Sequence, residues 1–171
     1  MPSAIRHTFL ALLMALCAAA CGCSPPAAER PGDGTGMPVV RVVDGDTIRV
    51  ELPSGEEAVR YIGIDTPESV KPGTPVECFA KRASAFNERL VAGERVRLVR
   101  DVEERDRYGR LLAYVYRARD GLFVNAELVR RGYATVATFP PNVEHEREFR
   151  RLARRARMSG RGLWSECVGA G

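Results

Sequence analysis

Val39 to Ile64, VVRVVDGDTIRVELPSGEEAVRYIGI, is the run that decides the fold. Val39 to Val43 is apolar and β-branched and stops at the turn pair Asp44-Gly45. Thr47 to Leu52 then alternates. Ile48, Val50 and Leu52 fall on one face and Arg49 and Glu51 on the other, the period of a half-buried strand. Pro53-Ser54-Gly55 turns the chain again. Val59 to Ile64 reads as a third strand, in which Gly63 marks a bulge or a close backbone approach. Three strands joined by tight turns make a meander.

Outward from this meander the pattern changes. Ser69 to Val76, with two prolines and a glycine, reads as a loop. Phe79, Ala83, Phe86 and Leu90 recur at helical spacing, and Gly93 stops that helix. Arg95 to Arg100 and Leu111 to Tyr116 read as strands. Asn125 is placed to cap a short helix, Ala126 to Arg131, closed by Gly132. Glu146 to Met158 is a last helix with Phe149, Leu152, Ala153 and Ala156 on its apolar face, and Trp164 packs behind it. The order is three strands, a helix, two strands and two helices. It predicts an α+β domain: an OB-fold, five-stranded Greek-key barrel with three α-helices.

The chain of 171 residues has a formal net charge of +4. This mild basic excess permits a polyanionic partner without requiring one. Residues 1–20 read as a signal peptide: a weakly basic start, then an apolar run too short to span a bilayer. Residues 21–37 read as a flexible tether, residues 38–167 as the domain and residues 168–171 as a tail. Small residues ending at Cys21 resemble a lipoprotein signal, so Cys21 is a candidate for lipidation. Simple cleavage and release is the alternative. Either route exports the domain, with a lipid anchor as its sole membrane attachment and no transmembrane helix in the mature chain. Only Cys78 and Cys167 of the five cysteines lie in the domain, and an oxidising compartment favours pairing them over two separate thiols. The domain has no Cys-x-x-Cys and no histidine pair, which argues against zinc.

The charged residues suggest a chemistry. Asp46 at the start of the second strand and Asp65 at the end of the third can share one rim of a meander. Two aspartates with carbonyl and water oxygens suit a hard cation. Ca²⁺ fits best, with Mg²⁺ or Mn²⁺ as alternatives, and Thr66 could add its backbone carbonyl. Arg60 precedes Asp65 by five residues, an odd offset along one strand that a bulge at Gly63 would realign. Arg110 could reach the same rim. Two arginines beside a cation can bind phosphoryl oxygens and stabilise charge added at phosphorus. Taken singly, each fragment also reads as turn chemistry or a solvated strand face.

The segments Val43-Asp-Gly-Asp-Thr47, Arg60-Tyr-Ile-Gly-Ile-Asp-Thr-Pro-Glu68 and Asp106-Arg-Tyr-Gly-Arg-Leu-Leu-Ala-Tyr114 resemble the staphylococcal nuclease (thermonuclease) family. The resemblance implies a calcium-dependent endonuclease that cuts single- or double-stranded DNA and RNA and leaves 3′-phosphate ends. It implies calcium ligation by Asp46, Asp65 and the Thr66 carbonyl, with Asp44 as a supporting acid. Glu68 would orient or deprotonate the attacking water, and Arg60 and Arg110 would bind phosphate. Arg107 and Tyr108 would contact a further substrate phosphate. Phe139 either stacks on a base or belongs to the core. The arginines of the last helix read as a solvated face or as a track for a distant phosphate, and His145 as structural. A monomer is expected. The competing reading is an OB-type module that binds nucleic acid or protein without cutting.

Overall fold

The computed structural model describes residues 36–68 and 76–167. The expected signal peptide, Cys21, nearly all of the tether and the 168–171 tail lie outside the described residues. Strand β1 (Met37–Asp44) turns through Asp44-Gly45 into β2 (Thr47–Leu52), which pairs in turn with β3 (Gly55–Tyr61). A two-residue strand, β4 (Ile64–Asp65), follows, and then helix α1 (Ala80–Val91). Strands β5 (Arg95–Val99) and β6 (Leu111–Arg117) lead to helix α2 (Val124–Arg130) and a second short strand, β7 (Thr135–Val136). Helices α3 (Glu146–Met158) and α4 (Leu163–Glu166) come last.

The long strands close into a barrel in the order β1-β2-β3-β6-β5. Neighbours run antiparallel except β3 and β6, which pair in parallel from Val59↔Leu111 to Tyr61↔Ala113. Met37 and Pro38 complete the ring by pairing with Val96 and Arg95. The alternating residues Ile48, Val50, Val59, Tyr61, Val96, Ala113 and Val115 fill the interior. Helices α2 and α3 pack on each other beside the barrel. Among the described residues no helix is long and apolar enough to cross a membrane.

Three details depart from the sequence reading. The third strand ends at Tyr61, not Ile64. Gly63 takes φ +79°, and a Cβ there would lie 2.6 Å from the buried Phe149 ring of α3. This close approach turns the chain out of the barrel, and β4 pairs with β7 instead. Asn125 does not cap α2; it lies within the helix, fully buried. Its Oδ1 accepts from Val115 N–H at 2.9 Å, and its Nδ2 donates to Ile62 C=O at 3.0 Å, stitching the barrel to the turn before Gly63. A fourth, single-turn helix, α4, joins the three expected; Trp164 lies in it and carries the Arg157 guanidinium of α3 over its ring.

Asn125→Ala would strip partners from two buried backbone groups at once. It should cost about 2–6 kcal/mol at one to three per orphaned group. The check is the denaturant midpoint beside that of Arg95→Ala, an exposed control expected to stay within about 0.5 kcal/mol.

Candidate active site

The site starts with the tight turn between β1 and β2. A Cβ on Gly45 would lie 2.6 Å from Thr66 Oγ1, so glycine lets this turn sit directly on the segment after β4. Buried Asn87 of α1 donates to Asp44 C=O at 3.0 Å and accepts from the Tyr61 hydroxyl at 3.0 Å, tying the turn to helix and barrel. Asp46 is held hard. Its Oδ2 accepts from Thr66 N–H at 2.8 Å and from the Thr66 hydroxyl at 2.9 Å, and its Oδ1 accepts from the Thr47 hydroxyl at 3.1 Å.

Arg60 bridges the two aspartates. Nη1 stands 2.5 Å from Asp46 Oδ2, and Nη2 donates to Asp65 Oδ1 at 2.6 Å. The odd offset is resolved because the turn at Ile62-Gly63 redirects Asp65. The Nη1 contact is ionic but misdirected, so that buried nitrogen lacks a true hydrogen-bond acceptor. The Asp65 carboxyl is held above its ordinary range. Partial burial is the main cause, Asp46 and Glu77 add to it, and Arg60 opposes it. Because 58% of the Asp65 side chain is exposed, solvent screens the energetic consequence.

Arg110 is aimed by a residue to which the sequence reading gave no role. Asp106 Oδ1 accepts from the backbone N–H groups of Tyr108 and Arg110, at 2.9 and 3.0 Å. Its Oδ2 accepts from Arg110 Nε at 2.7 Å. Gly109 takes φ +79° in this turn. An aspartate three residues before a glycine is a turn signature that could have flagged it. The guanidinium carbons of Arg107 and Arg110 lie 4.8 and 5.5 Å from the centre of the exposed Tyr108 ring.

Glu68 is placed by a clamp that no sequence signal announced. Its N–H donates to Glu77 Oε2 at 3.0 Å, and Glu77 N–H donates to Glu68 C=O at 3.1 Å. The next residue, Cys78, is bonded to Cys167, with Cα atoms 5.9 Å apart. Arg82 pairs with Glu166 alongside. The end of the chain is thereby fastened to the segment that fixes the Glu68 backbone.

Asp46, Asp65, Glu68, Arg60 and Arg110 all line one cavity of about 350 Å³, together with Asp44, Thr66, Arg41 and Arg49. Arg41 and Arg49 were not anticipated as cleft residues. Their strand positions alternate outward, and that outward side is the cleft wall. A second cavity of about 450 Å³ shares Arg60 and Arg110 and adds Arg107, Tyr108, Phe139 and Asn142. Phe139 is 72% exposed, so it is a cleft wall and not core. His145 is structural: its ring packs edge-on against Tyr114 and Phe123, and Nδ1 lies 3.3 Å from Glu148.

Asp46 and Asp65 are hard-oxygen donors joined by one guanidinium. Among the described residues no group of three or more His, Cys, Asp or Glu side chains converges as a metal cage. Such oxygen donors fit a hard cation that keeps much of its shell as water or substrate oxygen.

Glu77→Ala should cost about 1 kcal/mol of stability through the lost hydrogen bond. It should also free the Glu68 backbone, raising the exchange rate of the Glu68 amide about tenfold or more. A melting curve and amide exchange on the same preparation separate the two effects.

The family model described as staphylococcal nuclease homologue matches residues 58–166. The thermonuclease of Staphylococcus hyicus is 39% identical over 127 residues, covering 74% of each chain. That of Staphylococcus intermedius is 41% identical over 126 residues, again 74% of each. Endonuclease YncB of Bacillus subtilis is 39% identical over 128 residues, covering 74% of this chain and 60% of that protein. With a closed five-stranded barrel, a cleft of opposed carboxylates and guanidiniums, and these relatives, the chain belongs to the staphylococcal nuclease family.

Proposed function

We propose that this nuclease is an exported, divalent-metal-dependent endonuclease that hydrolyses DNA and RNA with low sequence specificity and leaves 3′-phosphate ends. The observation that carries this reading is the meeting of Asp46, Asp65, Glu68, Arg60 and Arg110 around one cavity. A cation, calcium in the first instance and magnesium or manganese as alternatives, would be held by Asp46, Asp65 and the Thr66 carbonyl and would polarise a phosphoryl oxygen. Glu68 takes a proton from the attacking water. The water oxygen bonds to phosphorus, the bond to the 5′ oxygen breaks, and that oxygen leaves with a solvent proton.

Arg60 and Arg110 hold non-bridging oxygens and stabilise the charge that develops on them. Arg107 lies beside the path of the next phosphate, and Tyr108 and Phe139 offer faces for bases. Contacts to phosphate and ring faces read no base edge, so specificity is low. The Cys78–Cys167 bond supports a life outside the reducing cytoplasm. The leader sequence and Cys21 are consistent with export as a lipid-anchored or released monomer.

Glu68→Gln and Arg110→Ala should each lower turnover on plasmid DNA by at least about a hundredfold. Chelation should stop the parent enzyme, and the product ends should accept no ligation until the 3′-phosphate is removed. An unchanged rate in either variant contradicts its assigned role.

A further inference from the structure

Most described arginines outside helix α3 have a carboxylate neighbour. Arg49 pairs with Glu56, Arg105 with Glu57, Arg117 with Asp120, and Arg130 and Arg131 with Glu127. Helix α3 breaks this habit. Arg147, Arg151, Arg154 and Arg155 are exposed, and among the described residues none of their four side chains has an ion pair, hydrogen bond or ring partner. The acids of the same helix are engaged elsewhere: Glu146 holds Arg150, and Glu148 faces His145.

The four arginines stand at i, i+4, i+7 and i+8, one stripe on the side opposite buried Phe149, Leu152 and Ala156. Like charges four residues apart repel on a helix surface. The stripe therefore carries uncompensated repulsion that a polyanion would relieve. Its chemistry narrows the partner. The apolar side of α3 is already buried against the rest of the domain, leaving no apolar face to enter a lipid surface. Guanidinium forks match phosphate oxygens two at a time. From Arg147 to Arg155 the helix rises roughly 12 Å, the span of three to four nucleotides of one strand.

The stripe also sits on the element that backs the cleft. Phe149 of α3 packs on Gly63, between the strand of Arg60 and Asp65. Asn142, in the wall of the second cavity, precedes Arg147 by five residues. We propose that Arg147, Arg151, Arg154 and Arg155 form a second phosphate track, which grips nucleic acid beyond the nucleotides in the cleft. The proposal rests on the nuclease reading and gives it a preference for long substrates.

The test changes all four residues to Gln, which keeps helix propensity, and in parallel to Lys, which keeps charge. Circular dichroism establishes that α3 is retained, and Arg151→Gln alone serves if the fourfold Gln variant does not fold. Binding of a 30-base-pair duplex is measured with chelator present, across a salt series. The Gln variant should bind more weakly, with a log–log salt slope shallower by about two to three, at about 0.9 per phosphate contact. The Lys variant should recover most of that slope. Cleavage of a dinucleotide-sized probe, too short to reach α3, should stay within about twofold, while cleavage of long duplex falls about tenfold or more at low salt. Equal slopes for parent and Gln variant overturn the proposal. So does a loss confined to vesicles containing phosphatidylglycerol, which would assign the stripe to a membrane. If the parent cuts neither substrate, the catalytic reading falls, and the chelator binding series still decides the track.

Discussion

One guanidinium, that of Arg60, is shared by Asp46 and Asp65, and the cleft depends on that sharing. Asp46 is nearly buried, and a buried carboxylate is tolerated only when partners replace its water. Thr66 supplies two hydrogen bonds, Thr47 a third, and Arg60 the opposing charge. Asp65 holds its proton more tightly than an ordinary aspartate, chiefly because it is partly buried, with Asp46 and Glu77 adding to this and Arg60 opposing it. Under the proposed function, a cation would be held by the carboxylate oxygens of Asp46 and Asp65, which would leave the Arg60 guanidinium for phosphate.

Four polar residues place these groups, two of them, Asn87 and Asn125, fully buried. Asn87 links the turn of Asp44 and Asp46 to α1 and Tyr61. Asn125 holds the turn that redirects Asp65. Asp106 orients Arg110, and Glu77 fixes the backbone of Glu68 beside the disulfide. Each is held at two or more points, which fixes position more tightly than one contact can. The barrel supplies rigidity, and these four residues convert it into aim.

How far this was legible in the sequence follows from what each signal encodes. The meander, α1, the last two barrel strands and α3 carry periodic apolar patterns, and all are present. The motifs around Asp46, Asp65, Glu68, Arg60 and Arg110 named the groups that converge, and Gly63 announced a close approach. The identity of its neighbour, Phe149, lies 86 residues away and has no local trace. Asn125 looked like a cap because a cap and a buried bridge ask for the same side chain. The Glu68–Glu77 clamp joins residues nine apart, so no period marks it. Arg49 read only as the polar face of its strand, and Arg41 drew no reading, because a strand pattern separates inside from outside without saying which outside is a cleft.

The central claim is that metal and phosphate act at the place Arg60 now bridges. Titration of calcium into the metal-free chain, followed by NMR of the Arg60 guanidinium and the Asp65 carboxyl, tests it most directly. The account predicts that both signals move together, along the same saturation curve that activates cleavage. Activation by calcium with the Arg60 and Asp65 signals unmoved would place the metal elsewhere and contradict it.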